Sequence, residues 1–96
     1  MQLLTLKKGN LEAIECYRKA IKICPDWADI YNNLGNALDE LGKYPMAIES
    51  FNKAIELEPE NPSFYNNRGL ALKGQGKYLK AIKWFDKAIQ VKPDYF

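Results

Sequence analysis

The chain has 96 residues, 47% of them hydrophobic, with 14 basic and 12 acidic side chains and a net charge of +2. A chain of this size buries only about two thirds of the surface that it exposes when unfolded, which leaves little room for a deep enzyme cleft. No segment approaches the roughly 18 uninterrupted apolar residues of a membrane span. The start carries no basic leader or cleavage motif, so we expect a cytoplasmic protein. The sequence contains no histidine, the usual general base and commonest metal ligand, and we expect no enzyme activity, cofactor or metal.

The sequence repeats itself at intervals of 34 residues, most visibly at Pro25, Pro59 and Pro93. Five further sets share this interval: Ala13, Ala47 and Ala81; Ile14, Ile48 and Ile82; Tyr17, Phe51 and Phe85; Ala20, Ala54 and Ala88; Ile21, Ile55 and Ile89. Six sets in one register do not arise from general helical composition. The chain is therefore built from copies of one structural unit.

The copies share a pattern of an aromatic residue, Leu-Gly, a later Ala-x3-Phe and a closing proline. The middle copy carries it as Tyr31, Leu34, Gly35, Leu38, Gly42, Tyr44, Ala47, Phe51, Ala54 and Pro59. The last copy carries it as Tyr65, Arg68, Gly69, Leu72, Gly76, Tyr78, Ala81, Phe85, Ala88 and Pro93. This pattern resembles the tetratricopeptide repeat (TPR) family. The resemblance implies an all-α fold of antiparallel helix-turn-helix repeats stacked as a right-handed solenoid, whose first helices line a concave groove.

The repeat register divides the chain into three parts. Residues 1–27 form a partial repeat with its second helix and a remnant of its first, residues 28–61 a complete repeat, and residues 62–96 another complete repeat with the onset of the next. We expect a fragment of a longer array.

The partial repeat is predicted to turn near Gly9, although the turn is one residue short. Cys16 and Cys24 follow on its second helix, about 12 Å apart along the axis. A disulfide needs Cα atoms within about 7 Å, so we expect two buried thiols rather than a bridge.

The complete repeats carry helix start and stop signals. Those of the middle repeat are Asp26 as N-cap, Gly42 at the turn and Pro59 after the second helix. Those of the last repeat are Asn61 as N-cap, Pro62 as first helical residue, Gly76 at the turn and Pro93 as the stop.

Two features of the predicted first helices call for a packing explanation. Gly35 and Gly69 stand inside these helices, where glycine costs roughly 1 kcal/mol relative to alanine. We expect close approach of the second helix to offset that cost. Arg68 replaces a core leucine, and we expect its stem to pack while its head reaches water or an acidic group of the middle repeat.

The resemblance also implies groove-lining positions on each first helix. They are Asp29, Asn32, Asn33, Asn36, Asp39 and Glu40 in the middle repeat, and Ser63, Asn66, Asn67, Leu70, Lys73 and Gly74 in the last. Asparagine offers both donors and acceptors, which suits the backbone of a bound peptide. The sequence therefore predicts a protein-interaction scaffold with an amide-rich groove, although the asparagines could instead be unspecialised residues of a wet surface.

One subgroup of the family grips a peptide's terminal carboxylate through lysine, asparagine and arginine side chains. Asn36 and Asn67 fit its two asparagine positions, but Asn32 stands where the lysine belongs, and the repeat that supplies further contacts is absent. An ionised carboxylate would lack its charge-assisted bonds. We expect no carboxylate clamp here; micromolar binding of an acidic C-terminal peptide, abolished by amidation of its end, would overturn this.

Charge is unequally divided between the complete repeats. Residues 28–61 hold seven acidic and two basic side chains, and residues 62–95 hold two acidic and seven basic. This asymmetry suits steering of a partner, head-to-tail contacts between copies, or simply a solvated outer face. Basic and aromatic residues at Lys77, Tyr78, Lys80, Lys83, Trp84 and Lys87 suggest a remote alternative of nucleic-acid binding. We do not favour it, because the lysines should point outward while Trp84 is offset from them.

A solenoid whose ends lack polar caps leaves apolar faces open. Ile82, Phe85, Ile89 and Val91 form such a face on the last helix, and Leu3, Leu4 and Leu6 another at the start. The alternative function is therefore a self-assembling repeat module, and we expect a homo-oligomer.

Overall fold

The computed structural model describes the backbone of residues 2–92 and the side chains of residues 9–92. Five helices make up this part of the chain: α1 (Gln2–Ile23), α2 (Ala28–Glu40), α3 (Tyr44–Leu57), α4 (Pro62–Gly74) and α5 (Tyr78–Val91). Helix α2 packs mainly on α3, and α4 on α5, while α3 also packs on α4 and α1 on α2. The predicted all-α fold of stacked helical hairpins is confirmed.

Glycine ends the first helix of each hairpin. Gly42 and Gly76 have φ angles of 77° and 80°, a left-handed conformation that costs glycine little. The residues after them close the turn, since the Lys43 and Lys77 N–H groups donate to the Leu38 and Leu72 carbonyls at 2.9 Å. These hydrogen bonds satisfy carbonyl groups at the end of each helix that have no partner within the helix. Both predicted turns are confirmed.

The start signals are confirmed in one hairpin and wrong in the other. Asn61 caps α4, its side chain accepting a 3.0 Å bond from the Ser63 N–H, with Pro62 in the first position. Asp26 does not cap α2, because Trp27 holds that position and makes no side-chain cap bond. The 34-residue register places Trp27, not Asp26, at the equivalent of Asn61. Helix α3 ends two residues before Pro59 as predicted, and Pro93 lies outside the described residues.

Helix α1 is continuous through Gly9, so the turn predicted there is wrong. The register explains the difference, because Lys8, not Gly9, occupies the position of Gly42 and Gly76. A lysine pays a steric penalty in the left-handed conformation. Because no glycine at this position adopts the left-handed conformation, the helix continues, and the remnant of a separate first helix is not formed.

The continuous α1 also explains the cysteines. Cys16 and Cys24 are free, as expected, but both are exposed rather than buried. In residues 2–92, α1 packs only on α2 and has no first helix of its own to cover its other side.

The core lies within the α2–α3 hairpin and where α1 and α4 pack on it. Its larger cluster consists of Ile14, Leu34, Ala37, Leu38, Ala47, Phe51 and Ala71, and Ala28, Ala54 and Phe64 form a smaller one. A Cβ atom at Gly35 would lie 2.7 Å from Cδ1 of Phe51, and one at Gly69 would lie 2.8 Å from Cδ1 of Phe85. The expected close approach is present, and an aromatic ring of the second helix fills the space above each glycine.

Pro25 and Pro59 are each tied to the first helix that follows them. The hydroxyl of Tyr31 donates to the Pro25 carbonyl at 2.8 Å, and that of Tyr65 donates to the Pro59 carbonyl at 2.7 Å. These bonds fix the turn between successive repeats.

Candidate functional site

The predicted groove residues lie on α2 and α4, the first helices of the two hairpins. A side-chain hydrogen bond joins them, in which Asn67 Nδ2 donates to Asn32 Oδ1 at 2.8 Å. Asn32, Asn36, Asp39, Ser63, Asn66 and Asn67 are half-buried, whereas Asp29, Asn33, Glu40, Leu70, Lys73 and Gly74 are exposed. The structure thus brings two of the predicted asparagines together at the middle of the α2–α4 face, a name kept below for this surface.

The Asn32–Asn67 bond uses half of each amide. Asn32 retains both N–H donors and Asn67 retains its carbonyl oxygen, and neither has another hydrogen-bond partner among residues 9–92. One peptide group carries one acceptor and one donor, so the remaining atoms match it in kind. The joined pair is also held in place, which reduces the entropy lost when a ligand binds.

Asp39 differs from the other groove residues. Burial, and secondarily the neighbouring Glu40 carboxylate, raise the pKa of Asp39 above its ordinary value of 3.8. Its Oδ1 atom is buried without a partner in the described part of the chain. Asp39 therefore costs the fold stability when it is ionised.

Gly74 lies at the C-terminal end of α4, where this helix contacts the middle repeat. A Cβ atom there would lie 2.7 Å from Cζ of Tyr44. Its position thus serves the packing of α4 on α3, a role that the groove assignment did not predict.

The predicted self-association residues lie on α5. Ile82 is 52% exposed and Ile89 43% exposed, whereas Phe85 and Val91 are half-buried. Leu79 and Tyr78 extend this open surface and are 80% and 62% exposed. Sequence reasoning overlooked both, although an aliphatic Leu79 in place of Pro45 was a usable signal. The side chains of Leu3, Leu4 and Leu6 lie outside the described residues.

Arg68 does not reach an acidic group, which was one of the two alternatives expected for its head. Its Nη1 atom donates to Oδ1 of Asn52 on α3, and its guanidinium lies 3.9 Å from the centre of the Trp84 ring on α5. Tyr65 stacks on the same indole at 6.0 Å between ring centres. Burial lowers the pKa of Arg68. An amide and an aromatic face thus contact the guanidinium where an acidic group was one of the expected partners.

The surroundings of Trp84 bear on the nucleic-acid alternative. Lys80, Lys83 and Lys87 are exposed along α5, but the Trp84 ring is half-buried and already packed against Arg68 and Tyr65. Binding of single strands uses aromatic faces that are open to bases, and this arrangement does not favour it.

Ion pairs do not neutralise the charge asymmetry. Among residues 9–92 the one ion pair is Lys53–Glu56, at 3.6 Å within α3, with both side chains largely exposed. Exposed pairs of this kind contribute little to stability.

Residues 9–92 contain no group of three or more potential metal ligands. None of the helices described is long and apolar enough to cross a membrane.

The sequence and structure were compared with known proteins. A family model described as tetratricopeptide repeat matches residues 28–61 and 62–95, and one described as TPR repeat matches residues 6–42. The comparison with curated proteins found no match. Similar solved structures include a crystal structure of MamA protein, 33% identical over 88% of this chain and 46% of that chain, with a TM-score of 0.83. Another MamA structure is 26% identical over 93% of this chain and 51% of that chain, with a TM-score of 0.84. The chain spans about half the length of these structures.

Proposed function

Because this chain belongs to the tetratricopeptide repeat family, we propose that it works as a protein-interaction scaffold whose α2–α4 face binds an extended segment of a partner polypeptide. The Asn67–Asn32 hydrogen bond between the two first helices is the observation that carries this proposal. It presents free donors on one helix and a free acceptor on the next, as the backbone of an extended peptide requires.

The chemistry of the face favours backbone recognition over recognition of a charged end. None of Asn32, Asn36 and Asn67 is basic, so a terminal carboxylate bound at these three residues would find amide donors only. A ligand held through its peptide groups does not depend on one particular side chain. The absence of a carboxylate clamp remains a prediction for the amidation experiment.

A peptide selection tests this proposal. Short random peptides are selected on the 96-residue protein, and their affinities are measured by fluorescence anisotropy for the wild type, Asn32→Ala and Asn67→Ala. We expect each substitution to weaken binding by about tenfold, the effect of losing one or two hydrogen bonds of about 1 kcal/mol each.

The matched control is Gln90→Ala, which removes an exposed amide on α5. It should leave affinity unchanged. Selected peptides that bind the two asparagine variants as tightly as the wild type would show that these residues are unspecialised surface amides, and the α2–α4 face would lose its assignment.

A second candidate function, self-assembly, is favoured by the open apolar surface of α5. Ile82, Ile89 and Leu79 are each more than 40% exposed. Burying three or four such side chains offers about 5 to 10 kcal/mol before association costs, enough for a micromolar contact. We expect the protein to sediment as a dimer or larger species at about 100 μM, and Ile82→Asp with Ile89→Asp to return it to a monomer. A wild-type monomer at that concentration, with unchanged mass and melting temperature in the variant, would remove this candidate.

A further inference from the structure

A cationic depression of about 410 Å³ lies between α3, α4 and α5. Arg68, Lys77 and Lys80 supply its charge, Trp84 forms part of its wall, and no carboxylate lines it. We call this depression the Arg68 pocket. Helical spacing of about 100° per residue places Arg68 about 100° from Asn67 and about 160° from Leu70 around α4. The Arg68 pocket is thus separate from the α2–α4 face.

The preceding repeat has an equivalent depression with different chemistry. It holds about 230 Å³, and its lining includes Leu34, Met46 and Ser50, together with the basic side chains of Arg18 and Lys53 and the carboxylate of Glu49. Leu34, Met46 and Ser50 lie 34 positions before Arg68, Lys80 and Trp84, respectively. The depression of the middle repeat is therefore smaller and contains a carboxylate beside its basic side chains, whereas that of the last repeat is larger, cationic and free of carboxylates.

The Arg68 guanidinium is positioned without the help of an anion. Its bond to Asn52 and its contact with the Trp84 ring fix its plane, and no carboxylate of residues 9–92 pairs with it. Lys77 and Lys80 belong to the start of α5, where Lys77 is the N-cap residue and makes no side-chain cap bond. A helix start adds partial positive charge to that of the lysines. Its Nε atom is buried, so an incoming carboxylate would pair with the remaining Nη donors of this fixed guanidinium.

We propose that the Arg68 pocket binds a glutamate or aspartate side chain of a partner polypeptide, with an adjacent apolar side chain of that partner lying on Ile48. The carboxylate pairs with Arg68 and is flanked by Lys77 and Lys80. The apolar lining, which also includes Pro45, favours a polypeptide over a bare inorganic anion, because part of the surface offers no polar group to an ion. The site does not depend on the α2–α4 face.

The test is a nuclear magnetic resonance titration of the ¹⁵N-labelled protein with two end-blocked peptides, acetyl-Leu-Glu-Leu-Glu-Leu-amide and its counterpart with glutamine for glutamate. We expect the glutamate peptide to shift the Trp84 indole N–H and the Arg68 Nε–H signals in a saturable way. The glutamine peptide should bind at least about tenfold more weakly, because charge-assisted bonds are roughly twice as strong as neutral ones.

The preceding repeat supplies the matched variants. Arg68→Leu, Lys80→Met and Trp84→Ser each install the residue that the fold accepts 34 positions earlier. We expect each to weaken the glutamate peptide by about fivefold or more, the loss of about 1 kcal/mol. Lys19→Met removes the same charge from an exposed site on α1 and should change nothing. Gln90→Ala removes an exposed amide that belongs to neither site and should also leave this affinity unchanged.

Melting curves establish whether the variants fold. If Arg68→Leu does not fold, the affinities of Lys80→Met and Trp84→Ser test the proposal instead. Equal affinities for the two peptides would overturn the proposal. So would unchanged affinity in the folded variants. Inorganic phosphate or a single-stranded oligonucleotide that shifts the same signals at lower concentration than the glutamate peptide would also overturn it, and would reassign the pocket to that ligand.

Discussion

The middle and last repeats place the same residues at the same positions, yet they bury them differently. Phe51 is 1% exposed and its counterpart Phe85 is half-buried; Ile48 is half-buried and its counterpart Ile82 is 52% exposed. The middle repeat is covered by α4, whereas α5 has no following helix in the described chain. In a solenoid each repeat contacts only its neighbours, so burial at these positions is set by the adjacent repeat.

Truncation of the two phenylalanines should show the largest difference between the repeats. Phe51→Ala is expected to lower the free energy of unfolding by about 3 to 5 kcal/mol, and Phe85→Ala by about half as much, because less of the second ring leaves water on folding. Urea denaturation measures both. Equal losses would mean that the open side of α5 is covered in solution.

Substitution of Gly35 or Gly69 by alanine tests the same difference between the two repeats, because the added methyl group overpacks the space next to the glycine. Gly35→Ala drives a methyl group into the buried Phe51 ring, which costs about 3 kcal/mol against about 1 kcal/mol gained in helix propensity. The half-buried Phe85 ring can move aside, so Gly69→Ala is expected to cost less than about 1 kcal/mol. A Gly69→Ala variant as unstable as Gly35→Ala would show that Phe85 is held as firmly as Phe51.

Arg68→Leu converts the last repeat to the pattern of the middle one. The change removes the Asn52 bond and the contact with Trp84, but it also relieves the Nε atom of Arg68, which is buried with no partner in the described residues. We expect equal or higher stability in thermal and urea unfolding. A loss beyond about 2 kcal/mol would indicate that the guanidinium is a fully bonded part of the core.

Asp39 offers the smallest effect, one that depends on pH. Its folded pKa is raised by burial and by Glu40, so the folded state binds a proton more tightly than the unfolded state. Stability should fall as the pH rises from the ordinary value of 3.8 through the raised folded value. Asp39→Asn should therefore be more stable than the wild type at pH 7 and lose that advantage in acid. Parallel stability curves for the two proteins would contradict this.

These contrasts also show what could be predicted from sequence. The hairpins follow from local signals, because Gly42, Gly76 and Asn61 act on residues within a few positions of themselves. Whether α1 is continuous depended on whether the one-residue deletion left a glycine at the turn position. The repeat register places Lys8 there, so the sequence alone could have predicted a continuous helix. The exposure of Cys16 depended on the absence of a covering helix among residues 2–92.

The candidate sites divide in the same way. The groove positions came from the family pattern, but the bond between Asn32 and Asn67 joins residues 35 positions apart and needs the packing of α4 beside α2. The Arg68 pocket needs three helices at once. The departures from the repeat at Arg68, Lys80 and Trp84 were readable in the sequence, and their convergence was not.

The central claim, that the α2–α4 face binds a peptide through the Asn32 and Asn67 amides, is tested most directly by their side-chain NH₂ signals. Addition of a selected peptide to the ¹⁵N-labelled protein should shift both signals, while that of Asn52, which is bonded to Arg68 outside this face, stays in place. Saturable peptide binding that leaves the Asn32 and Asn67 signals unmoved would contradict the account.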